Sequence, residues 1–109
     1  MTERTDARSD LVEFLVNIVF LETNLPEDEE AQLVAVERSR AAELIAAGNL
    51  VRMWRVPGRR ENWGLWRARD ATDLHRVLTS LPFWPYMDLH VHPLADHPVD
   101  PLRPSGPRG

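Results

Sequence analysis

The sequence predicts a single α+β domain, built as one antiparallel sheet of four strands with two helices on one face. Three observations carry this expectation. The chain has 109 residues and 43% hydrophobic content, enough for one modest core. Its strand-like and helix-like stretches follow the order strand, helix, strand, strand, helix, strand. Its central stretch, Leu50 to Trp66, reads as a hairpin with large apolar groups on both faces, so each face calls for a cover. Helices supply one cover, and a second copy of the sheet is expected to supply the other, as a homodimer or a larger assembly.

Met1 to Asp10 is polar and reads as a loose lead-in to a domain over residues 11–95. Leu11 to Leu21 is rich in β-branched and aromatic residues, as a buried strand requires. Glu13 and Asn17 interrupt it on one face; Asn17 reads either as an edge or end position open to water, or as the lining of a pocket. Thr23-Asn24-Leu25-Pro26 breaks the strand and starts a helix. Glu27 to Glu30 complements the positive end of that helix's dipole, and Gly48 offers a left-handed stop after Ala47. The apolar stripe is Leu33, Val34, Ala41, Leu44 and Ile45, with Glu37 in its middle and Glu43 on the far side.

A carboxylate on an apolar stripe needs a partner or a purpose. Glu37 reads as an ion pair with a sheet arginine, Arg52 or Arg55, or as a partly desolvated general acid/base facing a pocket between helix and sheet. In the hairpin, strands near Leu50–Val56 and Asn62–Ala68 flank a turn at Pro57 to Asn62. Strict alternation puts Leu50, Arg52, Trp54 and Val56 on one face, and Val51, Met53 and Arg55 on the other. The arginines and indole N–H groups here are natural donors to a small anionic ligand.

Asp70 reads as the cap of a second helix, Ala71 to Ser80, with Leu74, Val77, Leu78 and Leu81 inward. His75 lies beside that stripe, as a surface residue or facing a pocket. Leu81 to Asp88, LPFWPYMD, is too apolar for a free loop and too rich in proline for continued helix. A last strand is expected near Leu89 to Leu94. His90 and His92 share one face of it, but two histidines with no third ligand do not make a metal site. The tail, 96–109, is Pro-rich and expected to be extended, either against a neighbour or disordered.

Composition narrows the function. The net charge of −4 argues against a nucleic-acid surface. All 13 basic residues are arginine, which removes Schiff-base lysine chemistry and the usual P-loop. The absence of cysteine removes disulfides, thiol catalysis and zinc-thiolate sites. No stretch approaches membrane-spanning length and the first residues have no signal-peptide core, so a cytoplasmic location is expected.

Several segments together resemble the muconolactone Δ-isomerases, from about Phe14 to Pro98. They are Ala35-Val36-Glu37, Trp54-Arg55, Gly58 and Asn62, the Leu81–Asp88 signature, and His97-Pro98. The resemblance implies a ferredoxin-like subunit with dimeric α+β barrel character, assembled further into decamers, with no metal and no organic cofactor. It implies a cofactor-independent isomerase of aromatic-ring catabolism, moving a proton within an unsaturated, anionic lactone: muconolactone to 3-oxoadipate enol-lactone. Glu37 matches a family glutamate and would be the proton shuttle, with His75 a second acid/base candidate. Arg52 or Arg55 would hold the substrate carboxylate, Trp54, Asn62 or Tyr86 would donate to the dienolate oxygen, and Arg59, at the turn, is a further substrate-binding candidate. One departure bears on substrate and activity. Where the isomerases typically have Gly-His-Tyr-Ala-Asn-Tyr, this chain has Gly58-Arg59-Arg60-Glu61-Asn62-Trp63. A non-catalytic binding or structural subunit, or another cofactorless enzyme on the same fold, is the competing expectation.

Overall fold

The structure is a computed structural model describing residues 10–102; all but the last residue of the expected lead-in over 1–10, and the end of the tail, 103–109, lie outside the described residues. The elements are β1 (Val12–Phe20), α1 (Glu27–Ala47), β2 (Leu50–Arg55), β3 (Glu61–Ala68), α2 (Ala71–Thr79), a single 3₁₀ turn (Trp84–Tyr86) and β4 (Met87–Leu94). The strands form one sheet in the order β2-β3-β1-β4, each neighbouring pair antiparallel. This is the ferredoxin-like α+β arrangement that the element order predicts. The last strand starts two residues earlier than expected, because Met87 and Asp88 already pair with Phe20 and Val19.

The local signals act as their chemistry dictates. Gly48 ends α1 at φ 88°, a left-handed conformation that residues with a side chain rarely adopt. Asp70 Oδ1 accepts from the Asp73 N–H at 2.8 Å, and Asp73 Oδ2 accepts from the Arg69 N–H at 2.9 Å. The two carboxylates thereby satisfy donors on both sides of the helix start. At the start of α1, Thr23 Oγ1 takes the Leu25 N–H and donates to Glu30 at 2.5 Å.

The core lies between the sheet and the helices. Phe14, Val16 and Ile18 of β1, with Leu50, Trp66 and Ala68, face Leu44 of α1, then Leu74, Val77 and Leu78 of α2, and Leu81. Truncating a buried leucine such as Leu74 to alanine removes roughly 2–5 kcal/mol. The two helices contribute unequally. The second buries three side chains, whereas α1 fully buries Leu44 alone, and its inward residues Leu33, Val34, Glu37 and Ala41 are half-buried. Ile45, expected on the stripe, points outward at 58% exposure.

Three rungs cross the helix side of the sheet. They are Leu50–Trp66–Phe14–Pro93, Met53–Gly64–Val16–Val91 and Arg55–Asn62–Ile18–Leu89. The opposite side carries Arg52–Leu65–Leu15–His92 and Trp54–Trp63–Asn17–His90. The simple alternation read from the hairpin is therefore corrected. A bulge between Leu50 and Arg52 inserts one residue in β2, so Leu50 shares a face with Met53 and Arg55, while Arg52 and Trp54 turn away. Asn17 also departs from its edge reading, because β1 is an interior strand. The Asn17 amide is buried and donates to Glu61 Oε2 at 2.9 Å.

Candidate active site

Glu37 sits where the helical spacing puts it, on the inward side of α1, half-buried. Its Oε1 accepts the backbone N–H of Phe83 at 2.9 Å. The expected ion pair with Arg52 or Arg55 does not form; among the described residues Glu37 has no cationic partner. Burial holds the Glu37 carboxyl above its usual range, and the Phe83 N–H only partly opposes that effect. Phe83 is fixed by edge-on contacts with Phe20 at 6.1 Å and Tyr86 at 6.3 Å between ring centroids. The LPFWPYMD connector thus packs as an aromatic plug at one end of the sheet and aims a backbone donor at the carboxylate.

That end of the sheet is where β2 finishes and β3 begins. Arg55 and Asn62 lie opposite one another there, on the helix side. Above them the N-terminal half of α1 is loosely covered. A cleft of about 470 Å³ runs beside it, lined by Leu25, Glu27, Glu30, Ala31 and Val34, and it starts one helical turn before Glu37. Arg55 and Asn62 share a rung there, and Phe83, which bonds Glu37 and packs on Phe20 and Tyr86, lies toward the same end of the sheet.

The other candidates are placed elsewhere. Arg52 and Trp54 lie on the open side of the sheet, the guanidinium 4.9 Å from the indole centroid. They are not brought together with Glu37 within one subunit. His75 is exposed on α2, turned one residue away from buried Leu74. Arg59 is exposed and bonds Glu61 Oε1 at 2.7 Å; Arg60 reaches Glu22 at 3.2 Å. Arg59 and Asn17 together hold the Glu61 carboxyl below its usual range. His92 packs on Trp63, and His90 lies 3.4 Å from Asp88. Among the described residues, no group of three or more His, Asp or Glu side chains is arranged to hold a metal ion, and no helix is long and apolar enough to cross a membrane.

A second groove, about 570 Å³, lies between the C-terminal half of α1 and the α2 segment and is lined in part by Arg40, Glu43, Arg69, Asp73 and Arg76. Its charges satisfy each other: Arg40 with Glu43 and Ser80, Arg69 and Arg76 with Asp73. With its cations already engaged, it is less suited than the Glu37 end to an anionic ligand. The sequence reading missed one participant, the Phe83 amide. Every residue carries such a donor, so only its placement in the folded chain singles it out.

Glu37 is thus a carboxylate of raised proton affinity on the helix side of a ferredoxin-like subunit, where Arg55 and Asn62 share a rung. The chain belongs to the muconolactone delta-isomerase family, whose profile matches residues 12–100. The muconolactone delta-isomerase of Cupriavidus pinatubonensis is 34% identical over 88 residues, covering 77% of this chain and 96% of that protein. That of Pseudomonas aeruginosa is 34% identical over 84 residues, covering 73% and 88%. A crystal structure of muconolactone isomerase superposes with a TM-score of 0.75 at 30% identity, covering 88% of this chain and 99% of that one. By family the protein is an isomerase.

Proposed function

We propose that the protein moves a proton within an unsaturated, anionic lactone, muconolactone or a close analogue, in aromatic-ring catabolism, without a cofactor. The observation that carries this reading is Glu37: a half-buried carboxylate with raised proton affinity and no cationic partner among the described residues. The arginine pairing expected of a structural Glu37 is absent among the described residues, and the carboxylate bonds the Phe83 N–H. Glu37 is instead poised to take up a proton.

The reaction follows from these groups. Glu37 removes the proton from the ring carbon that bears the carboxymethyl side chain. The electron pair moves through the ring double bond to the lactone carbonyl, giving a dienolate. The same carboxyl then returns its proton to the carbon two positions along, and the double bond has shifted with no net change in atoms. Arg55 holds the substrate carboxylate, and Asn62 and Tyr86 supply polar contacts around the ring. Partial burial favours this cycle, because a carboxylate of ordinary acidity is a weaker base toward carbon.

The ring-face aromatics and apolar residues of the open sheet side support a sheet-to-sheet homodimer. Incubating the purified protein with muconolactone and following its absorbance tests the activity. Turnover is expected, with kcat about 10²- to 10⁴-fold lower in Glu37→Gln. Absence of turnover in the native protein would remove the substrate assignment, and equal turnover would remove Glu37.

A further inference from the structure

We propose that the indole N–H of Trp66 is the donor that holds the lactone carbonyl oxygen as negative charge develops on it. The proposal deepens the isomerase reading and rests on it. Trp66 is 1% exposed, and its Nε1 is the one fully buried side-chain nitrogen or oxygen without a hydrogen-bond partner among the described residues. An unsatisfied buried donor costs about 1–3 kcal/mol. A phenylalanine would fill similar space without that cost, so the N–H is a group whose presence needs a reason.

Its position supplies one. The ring lies along the strand over Gly64: a Cβ built on Gly64 would stand 2.6 Å from Trp66 Nε1. The space that a side chain at position 64 would occupy is given to the donor. Gly64 and Asn62 are successive residues on the helix side of β3, about 7 Å apart, and Arg55 lies opposite Asn62. The nitrogen therefore lies over the Met53–Gly64–Val16 rung, one rung from Arg55 and Asn62 and on the side of the sheet that the helices cover. Met53 Sδ meets the same spot, 3.1 Å from that Cβ position. Met53 is 40% exposed, unbranched and adaptable, so it is the neighbour that yields when a ligand enters. A preorganised donor in a site screened from water is suited to an oxygen that gains charge during the reaction.

The test pairs Trp66→Phe with NMR of the native protein. The variant is expected to unfold at the same or higher denaturant concentration, since it loses an unpaired donor, yet to lose kcat on the order of 10²- to 10³-fold with little change in KM. The four indole N–H signals of native protein are followed during titration with the saturated, unreactive 4-carboxymethyl-butyrolactone. Single Trp→Phe changes at Trp54, Trp63 and Trp84 assign the Trp66 signal by elimination, even if Trp66→Phe does not fold. A downfield shift of the Trp66 signal supports the proposal. Native turnover with a fixed Trp66 signal, or with equal kcat in Trp66→Phe, overturns it and leaves the isomerase reading standing. No native turnover but a shifted Trp66 signal removes the substrate and retains the donor. A fixed signal with no turnover removes both.

Discussion

Glu37 carries a charge that its surroundings disfavour, and stability should show it. Burial raises its pKa above the usual 4.5, so the folded state holds this proton more tightly than the unfolded chain does. The stabilisation from the protonated form is complete below about pH 4.5 and is lost as pH rises through the raised folded value. Glu37→Gln keeps an oxygen for the Phe83 N–H and removes the charge. Its melting temperature is therefore expected to exceed that of the native protein at pH 7, and to match it near pH 4. A lower melting temperature at pH 7 would mean that an unrecognised cation stabilises the carboxylate. Arg55 makes a kinetic prediction. A hydrogen-bonded charge contact is worth about 1.5–3 kcal/mol, so Arg55→Met should raise KM roughly 10- to 100-fold. Arg52→Met, across the sheet, should leave KM nearly unchanged if the site is complete within one subunit. Steady-state kinetics on both variants separates the two arginines that the sequence left equivalent.

Among the elements, those governed by local chemistry were legible and those governed by pairing were not. Gly48 as the stop of α1 and Asp70 as the cap of α2 follow from backbone sterics and donor satisfaction, which act within a few residues. The faces of β2 do not. One extra residue near Val51 reverses every side chain after it, and that bulge exists only because β2 pairs with β3. This is why Leu50 reads together with Arg52 and Trp54 but shares its face with Met53 and Arg55. Glu37 was legible as an anomaly, since helical spacing fixes its face, but its partner was not. The Gly64–Trp66 pair gives an element-scale prediction. Gly64→Ala drives a Cβ to 2.6 Å from a buried indole and 3.1 Å from Met53 Sδ. Met53 can yield, but the Trp66 ring is packed on its other sides. A loss of about 1–3 kcal/mol is expected, read as a lower midpoint in urea with unchanged slope. Unchanged stability would show that the indole is free to turn.

At the scale of the molecule, the sheet has one covered side and one open side. The open side is not an ordinary solvent face. Leu15 and Leu65 lie opposite each other at its centre, flanked by Trp63 stacked on His92 and by Trp54, which is 42% exposed. Around them Arg67 pairs with Glu13 and Arg59 with Glu61, His90 lies 3.4 Å from Asp88, and the Arg52 guanidinium lies 4.9 Å from the Trp54 ring centroid. An apolar, aromatic centre with a polar rim is the pattern of an interface. A four-stranded sheet face is also of the right order for the roughly 800 Å² per partner that stable pairs bury. The 12.5 kDa chain is therefore expected to run in solution at about 25 kDa or a multiple of it. Leu65→Arg discriminates between the two roles of this face. On a free surface the change is worth within about 0.5 kcal/mol and leaves the mass unaltered. At the centre of a sheet-to-sheet contact it places two unpaired guanidinium groups against each other, and desolvating them without a partner is prohibitive. Light scattering after gel filtration should then give half the native mass or less, with the far-UV spectrum retained because the helix-side core is untouched. A native protein already at 12.5 kDa would remove the dimer and leave the aromatic open face to another occupant.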